Sequence, residues 1–475
     1  MTQPSSAART RPPEEGPLAV VGGPLGSHAS VRARSWLATV APLLVISSAM
    51  VGLGVAQRGH CVANGWNGTE QFWRGCFSDL PALYRIGNLD AGLGGYLSTG
   101  GDAATVDHPV LTGAVMSLVG GLVPAGSVLD QTRWYFLLWA VLAAALVAAT
   151  VYLTAATRPR HAGEAAIVAA SPMLVIAPLV SADVFGVALV AAGLWAWSRR
   201  QPLLAGALLG LAVTARTYPL LILLALVLLG VRSGRMPAVG RALAGAGAAV
   251  ALVLLPFAVA NPGAITASYA AWWRSDAGLG AVWMVPRLLG HPLPVGAVTF
   301  LSIVGLAAAV LAGALFALGA SRRPTVAEVA LVLVAVALVV GKSFPVQASL
   351  WLLPLVALCG VRWRDHLVWA CAEAMHFAMV WLYVGGMSKA DRGLPGPWYA
   401  VFLVLRVAAV LYLAWRVWNT AAQRPASEVI EEPAELAEPA GSGWPEKLAE
   451  GAAEDEDEVD GVFAGAPDRL IVRVG

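Results

Sequence analysis

The chain has 475 residues, a formal net charge of +2, 58% hydrophobic residues and only 13% charged ones, with a mean hydropathy of +0.70. A soluble domain carries about 25% charged residues, so this composition excludes an ordinary cytosolic enzyme and any disordered or collagen-like chain. Four cysteines are too few for a disulfide scaffold, and the class that remains is an all-α, polytopic integral membrane protein.

Residues 1–35 are polar and broken by Pro12-Pro13 and Gly22-Gly23-Pro24, the pattern of a flexible N-terminus. Apolar stretches follow near 37–56, 133–155, 164–180, 183–198, 202–215, 217–231, 239–258, 297–319, 325–341, 346–361, 366–385 and 397–418. At about 20 residues per spanning helix, this predicts about 12 transmembrane helices within a membrane domain over 36–418, some of them tilted, broken or merged. The first stretch is too long, and too far from the start, for a cleaved signal peptide, and reads as a retained anchor. Residues 419–475 carry 14 of the 29 acids and 4 of the 31 bases, leaving 15 acids and 27 bases in 1–418. The run Glu454-Asp455-Glu456-Asp457-Glu458 centres this segment, and such a run repels itself, so 419–475 is expected to be an acidic, disordered tail.

Orientation follows from the arginines. The pairs Arg32/Arg34, Arg158/Arg160, Arg199/Arg200, Arg232/Arg235, Arg322/Arg323 and Arg362/Arg364 fall in alternate loops. Positive residues mark the cytoplasmic side, so both termini are predicted to be cytoplasmic in a multi-pass protein of the cell membrane. The two large loops, near 57–132 and 259–296, then face outward, and nine of the fifteen body acids, Asp183 and Asp391 among them, fall on the outer side. Inner loops of a few residues leave no room for a nucleotide-binding domain, and no G-x-x-x-x-G-K-[ST] occurs. Nothing in the chain points to nucleic acid.

The first outer loop holds Cys61 and Cys76. In an oxidising compartment these are expected to form a disulfide, worth about 3 kcal/mol in the chain-entropy model. Cys359 and Cys371 fall in spans and read as packing residues. After Cys76 comes Ser78-Asp79-Leu80-Pro81, an acid and a proline beside aromatics, and further on Asp107-His108-Pro109 leads into an apolar stretch. A loop acid is equally a helix cap or a solvated charge.

Four patches, residues 76–84 (CFSDLPALY), 107–113 (DHPVLTG), 214–221 (TARTYPLL) and 341–355 (GKSFPVQASLWLLPL), resemble the polytopic glycosyltransferase family 87 of the GT-C superfamily, its actinobacterial membrane members in particular. The resemblance in span layout covers roughly 37–418. It implies a GT-C-like fold and the transfer of a sugar, typically mannose, from a polyprenyl-phosphate sugar to a lipid or glycan acceptor hydroxyl outside the cytoplasm. It also implies that Asp79 is the catalytic base. No cofactor or metal is implied. Two departures stand out: Pro345-Val346-Gln347 separates a proline–glutamine pair that is adjacent in the family, and His108 stands where relatives have an aromatic.

Such chemistry dictates residue types. Glycosyl transfer passes through an oxocarbenium-like state, the acceptor hydroxyl must lose a proton to a base, and the charge of the departing lipid phosphate must be stabilised by a metal or by fixed cations. Arg216 and Lys342 each follow an apolar run and precede a proline by three residues, at outer helix junctions suited to holding phosphate; as interface residues they could equally snorkel. Gln347, Asp107, His108, Asp183 and Trp351 complete the candidate substrate site. Asp183 could also be an N-cap and Trp351 a belt residue. Arg274, Arg287 and Asp276 are secondary candidates in the second outer loop. Glu373, His376 and Arg406 fall inside spans, where a buried Glu373–Arg406 ion pair is the economical expectation and a proton relay the alternative.

Three other functions fit twelve spans. A secondary transporter would show repeated halves with matching broken helices, and no internal repeat is evident. A flippase for lipid-linked sugars would use the same cations without needing Asp79. A non-catalytic assembly protein would act through the acidic tail. The seven histidines are scattered with no H-x-x-x-H pair, so no zinc site is expected.

Overall fold

The structure is a computed structural model, and it describes residues 35–99, 106, 108–423 and 459–472. The described residues form helices joined by loops and turns, with no strand among them. Six helices are long and apolar enough to cross a membrane: α1 (Trp36–Gln57), α4 (Val128–Thr157), α8 (Met236–Ala260), α10 (Val295–Gly319), α13 (Trp363–Ser388) and α14 (Gly396–Gln423). The shorter helices between them are α2 (Asp79–Ile86), α3 (Val110–Gly120), α5 (Asp183–Ser198), α6 (Pro202–Ala215), α7 (Pro219–Ser233), α9 (Pro262–Arg274), α11 (Val326–Val340) and α12 (Ser349–Leu358).

Half-length helices arise where the sequence interrupts an apolar run. Arg216 leaves helical geometry at φ −153°, ψ 151°, and Pro219 opens α7 at a first-turn position, where its missing N–H costs nothing. The 164–180 stretch, expected to span, does not: Ser171-Pro172 splits it into two four-residue turns, 166–169 and 173–176. Likewise 346–361 yields a short apolar helix over Val346–Leu358, a 3-10 turn running into α12. Both outer-loop regions expected from the sequence contain helices, α2 and α3 in the first and α9 in the second.

Helix α11 is the centre of the bundle. Only Val336 and Val340 along it are even partly exposed, the behaviour of a helix that is apolar on every face. Its start is fixed by a reciprocal capping box, with the Thr325 N–H donating to Glu328 Oε2 (2.8 Å) and the Glu328 N–H to Thr325 Oγ1 (3.3 Å). Around the rim, α10 turns Phe300 and Leu311 outward, as lipid permits and water does not. Helices α6 and α8 meet closely because Gly206 and Gly210 lie against the backbone of Ala242 and Ala246, and a Cβ at either glycine would collide with a carbonyl.

The intramembrane ion pair expected from the sequence forms. Arg406 Nε donates to Glu373 Oε2 at 2.8 Å, and the guanidinium also donates to the carbonyls of Phe344 (2.6 Å) and Pro345 (2.9 Å). Beside it, His376 lies 3.0 Å from the Tyr399 hydroxyl, which donates to the Leu279 carbonyl. This network clamps the non-helical turn between α11 and α12, satisfying backbone groups that lipid could not.

The expected tail, 419–475, departs from that reading at both ends. Helix α14 continues to Gln423, and residues 459–472 pack on the bundle, with Phe463 fully buried. The acidic run 454–458 and the N-terminal segment 1–34 lie outside the described residues.

Candidate active site

The approach to Asp79 is shaped by covalent and polar ties. Cys61 and Cys76 are joined, Cα to Cα 6.0 Å. Trp66 Nε1 donates to the Cys76 carbonyl (3.1 Å), and Gln57 Nε2 to that of Gly75 (2.6 Å). Two residues on, the Ser78 hydroxyl donates to the Leu179 carbonyl (2.7 Å) and the Asp79 N–H to that of Val180 (2.8 Å). The first turn of α2 is thereby anchored to the segment that leads into α5, whose first residue is Asp183. Two acids about a hundred positions apart are brought to one end of the bundle by backbone hydrogen bonds.

Asp183 is almost fully buried and fully engaged. Arg216, at the end of α6, is ion-paired to its Oδ1. Ser181 Oγ donates to the same oxygen (2.6 Å), and Trp351 Nε1 donates to Oδ2 (2.8 Å). The Trp351 ring lies parallel to Tyr218, centroids 4.6 Å apart. Of the two sequence readings of Asp183, a cap or a polar contact, the geometry gives a third: it orients Arg216 and Trp351. Arg216 keeps capacity in reserve, because its Nε is buried with no acceptor among the described residues, and the Tyr218 hydroxyl is in the same state. Buried donors are normally satisfied, and these two, on residues 216 and 218, are not satisfied by the described residues. Tyr218 was not singled out by the sequence; its place between Arg216 and Pro219 in the TARTYPLL patch was the available signal.

Asp79 is half-buried and lies outside the candidate spans. Burial pushes its carboxyl up to about 6, the neighbouring Asp183 charge adds to the rise, and Arg216 opposes it. A carboxylate poised there ionises near neutral pH while remaining basic enough to take a proton.

The remaining candidates are placed differently. Thr112 Oγ1 donates to the Ala215 carbonyl at 2.7 Å, which seats α3, and the His108-Pro109 that precedes it, beside Arg216. His108 is half-buried, and Asp107 lies outside the described residues. Gln347 is buried in the turn 346–348, four residues before Trp351. Lys342, expected to hold phosphate, has protein partners of its own. Its ammonium donates to the carbonyls of Trp272 (3.0 Å) and Trp273 (3.2 Å) and to Thr299 Oγ1 (2.8 Å). It also lies over the Trp272 ring. Burial lowers its pKa against the opposing charge of Asp276. The physical reason is local: α9 ends with its last carbonyls unpaired within the helix, and the lysine caps them. Asp276 pairs with Arg287 at 2.5 Å on the surface. No cluster of three or more His, Cys, Asp or Glu suited to a metal occurs among the described residues.

At one end of this bundle of apolar helices, a half-buried carboxylate, Asp79, therefore lies near an arginine paired to a buried acid. Residues 133–341, somewhat under half of the chain, match the family model of glycosyltransferase family 87, and the match supports membership of that family. The matched stretch includes Asp183 and Arg216 and ends one residue before Lys342; Asp79 lies ahead of it. No curated protein matches the chain.

Proposed function

We propose that the chain transfers a hexose, mannose in the first instance, from a polyprenyl-phosphate sugar to an acceptor hydroxyl at the outer face of the cell membrane, with inversion at the anomeric carbon. The observation that carries this reading is the convergence of Asp79 with the Asp183–Arg216 pair, from three distant segments. In the proposed step Asp79 takes the acceptor proton while the acceptor oxygen attacks the anomeric carbon. The bond from that carbon to the phosphate oxygen breaks, and polyprenyl phosphate leaves with one more negative charge than the phosphate carried in the donor. Arg216 offsets that charge through its unused Nε, held in place by Asp183. Trp351 and Tyr218 form an aromatic wall beside the sugar.

In this reading the arginine-rich end of the bundle and both termini are cytoplasmic. Lys342 is assigned to holding α9 rather than to the phosphate. The test uses the full chain in phospholipid vesicles supplied with radiolabelled polyprenyl-phosphate mannose and an acceptor extract. Label moving to the acceptor supports the enzyme. Label crossing the bilayer while still on its lipid carrier would contradict it and favour a flippase.

A further inference from the structure

Residues 459–472 are joined to the bundle by an unusual number of specific bonds. The Phe463 ring packs on Trp197, centroids 4.9 Å apart, and Trp197 Nε1 donates to the Asp460 carbonyl at 3.2 Å. Arg323 donates to the carbonyls of Phe463 and Ala466, both at 2.7 Å, and to Asp468 Oδ1 at 3.2 Å. Arg232, fully buried, donates to Asp468 Oδ2 at 2.7 Å. The backbone joins in: the Arg469 N–H donates to the Arg232 carbonyl (2.7 Å) and the Val472 N–H to that of Leu318 (2.9 Å). Those two carbonyls belong to the last turns of α7 and α10, which have no partner within their own helices. Two arginines of the alternate-loop pattern are thus spent on this segment.

The segment grips two particular helices. Trp197 is at the end of α5, whose first residue is Asp183. Arg232 is at the end of α7, which opens immediately after Arg216, Thr217 and Tyr218. Each helix is 15 or 16 residues long, about 22–24 Å at 1.5 Å per residue. The segment therefore ties together the far ends of the helix that begins with Asp183 and the helix that begins three residues after Arg216.

We propose that residues 459–472 are an intramolecular clasp that fixes the spacing of α5 and α7 and thereby positions Asp183 against Arg216, with Phe463 and Asp468 as positioning residues acting from the opposite end of the bundle. The clasp rests on the active-site reading above for its effect on turnover, and on the contacts alone for its effect on structure. A rigid helix transmits a displacement at one end to the other, and catalytic groups tolerate little: a shift of about 1 Å costs up to 100-fold in rate.

The experiment compares Phe463→Ala and Asp468→Asn with the conservative Phe463→Trp and Asp468→Glu, in the full chain in vesicles. Arg323→Gln breaks the clasp from the other side should a tail variant fail to fold. Donor kinetics and amide hydrogen exchange are read together. The clasp predicts faster exchange at 459–472, 181–184 and 215–219 but not at 376–400, a fall in kcat of roughly tenfold with little change in KM, and recovery in the conservative variants. Faster exchange at 459–472 with kcat and the 181–184 and 215–219 amides unchanged would overturn it. Should the wild-type chain transfer no sugar, the activity reading fails separately, and the exchange pattern alone decides the clasp.

Discussion

Trp351 and Asp183, far apart in sequence, meet through a 2.8 Å hydrogen bond from the indole Nε1 to Oδ2, while Arg216 and Ser181 take the other carboxylate oxygen. Asp183 is therefore a hub: it holds a cation and an aromatic wall in fixed relation to Asp79.

Removing the hub strands a charge. Asp183→Ala leaves the largely buried Arg216 guanidinium without its partner, and breaking one side of a buried pair costs about 3–5 kcal/mol. Thermal unfolding in detergent should show a Tm lowered by several degrees, with Asp183→Asn intermediate because it keeps a hydrogen-bond acceptor. An unchanged Tm in Asp183→Ala would mean the pair does not hold the junction.

The raised pKa of Asp79 gives a pH dependence with a definite sign. The base must be ionised to accept a proton, so kcat/KM should fall with unit slope below pH about 6. Stability runs the other way. The folded-state pKa is raised above the ordinary 3.8, so the contribution of Asp79 to stability is present below that value and lost as pH rises through 6. Asp79→Asn should then unfold no earlier than wild type at neutral pH, as followed by tryptophan fluorescence.

Arg216→Lys keeps the charge and loses the planar fork. A lysine ammonium can meet Asp183 or a phosphate but not bind both in one plane. The KM for the lipid-phosphate sugar should rise roughly tenfold, a loss of about 1.4 kcal/mol. A normal KM would remove Arg216 from the donor site.

Lys342→Met should act on structure instead. Of its partners, the Trp272 carbonyl keeps Ser275 Oγ and the Thr299 hydroxyl keeps the Val295 carbonyl, so the Trp273 carbonyl is the group left unpaired, at a cost of about 1–3 kcal/mol. Thermal stability should fall while the KM of the folded fraction stays near wild type. A raised donor KM with normal stability would return Lys342 to the phosphate.

These residues also mark how far the sequence can be read. The apolar runs mark where helices form, and six of the twelve correspond to helices long enough to cross a membrane; the Arg and Pro interruptions mark where others break, because backbone hydrogen bonding constrains lipid-embedded chains so strongly. The Glu373–Arg406 pair is legible for the same reason, since a lone charge in lipid is costly. The partners of Lys342 are not legible: nothing local to Gly341-Lys342-Ser343 records that α9 ends beside it. The 164–180 run misleads because hydropathy does not weigh Ser171-Pro172. Residues 459–472 are hidden by the charge of the segment around them. Phe463 and Asp468 matter through contacts with Trp197, Arg232 and Arg323 that only the fold creates.

The most direct measurement is single-turnover transfer from a polyprenyl-phosphate sugar by the Asp79→Asn variant, in vesicles, beside wild type at equal folded concentration. Loss of a general base predicts a rate lowered by about 100- to 10,000-fold with donor binding retained. Transfer at the wild-type rate would contradict the assignment of Asp79 as the group that takes the acceptor proton, and with it the account of the site.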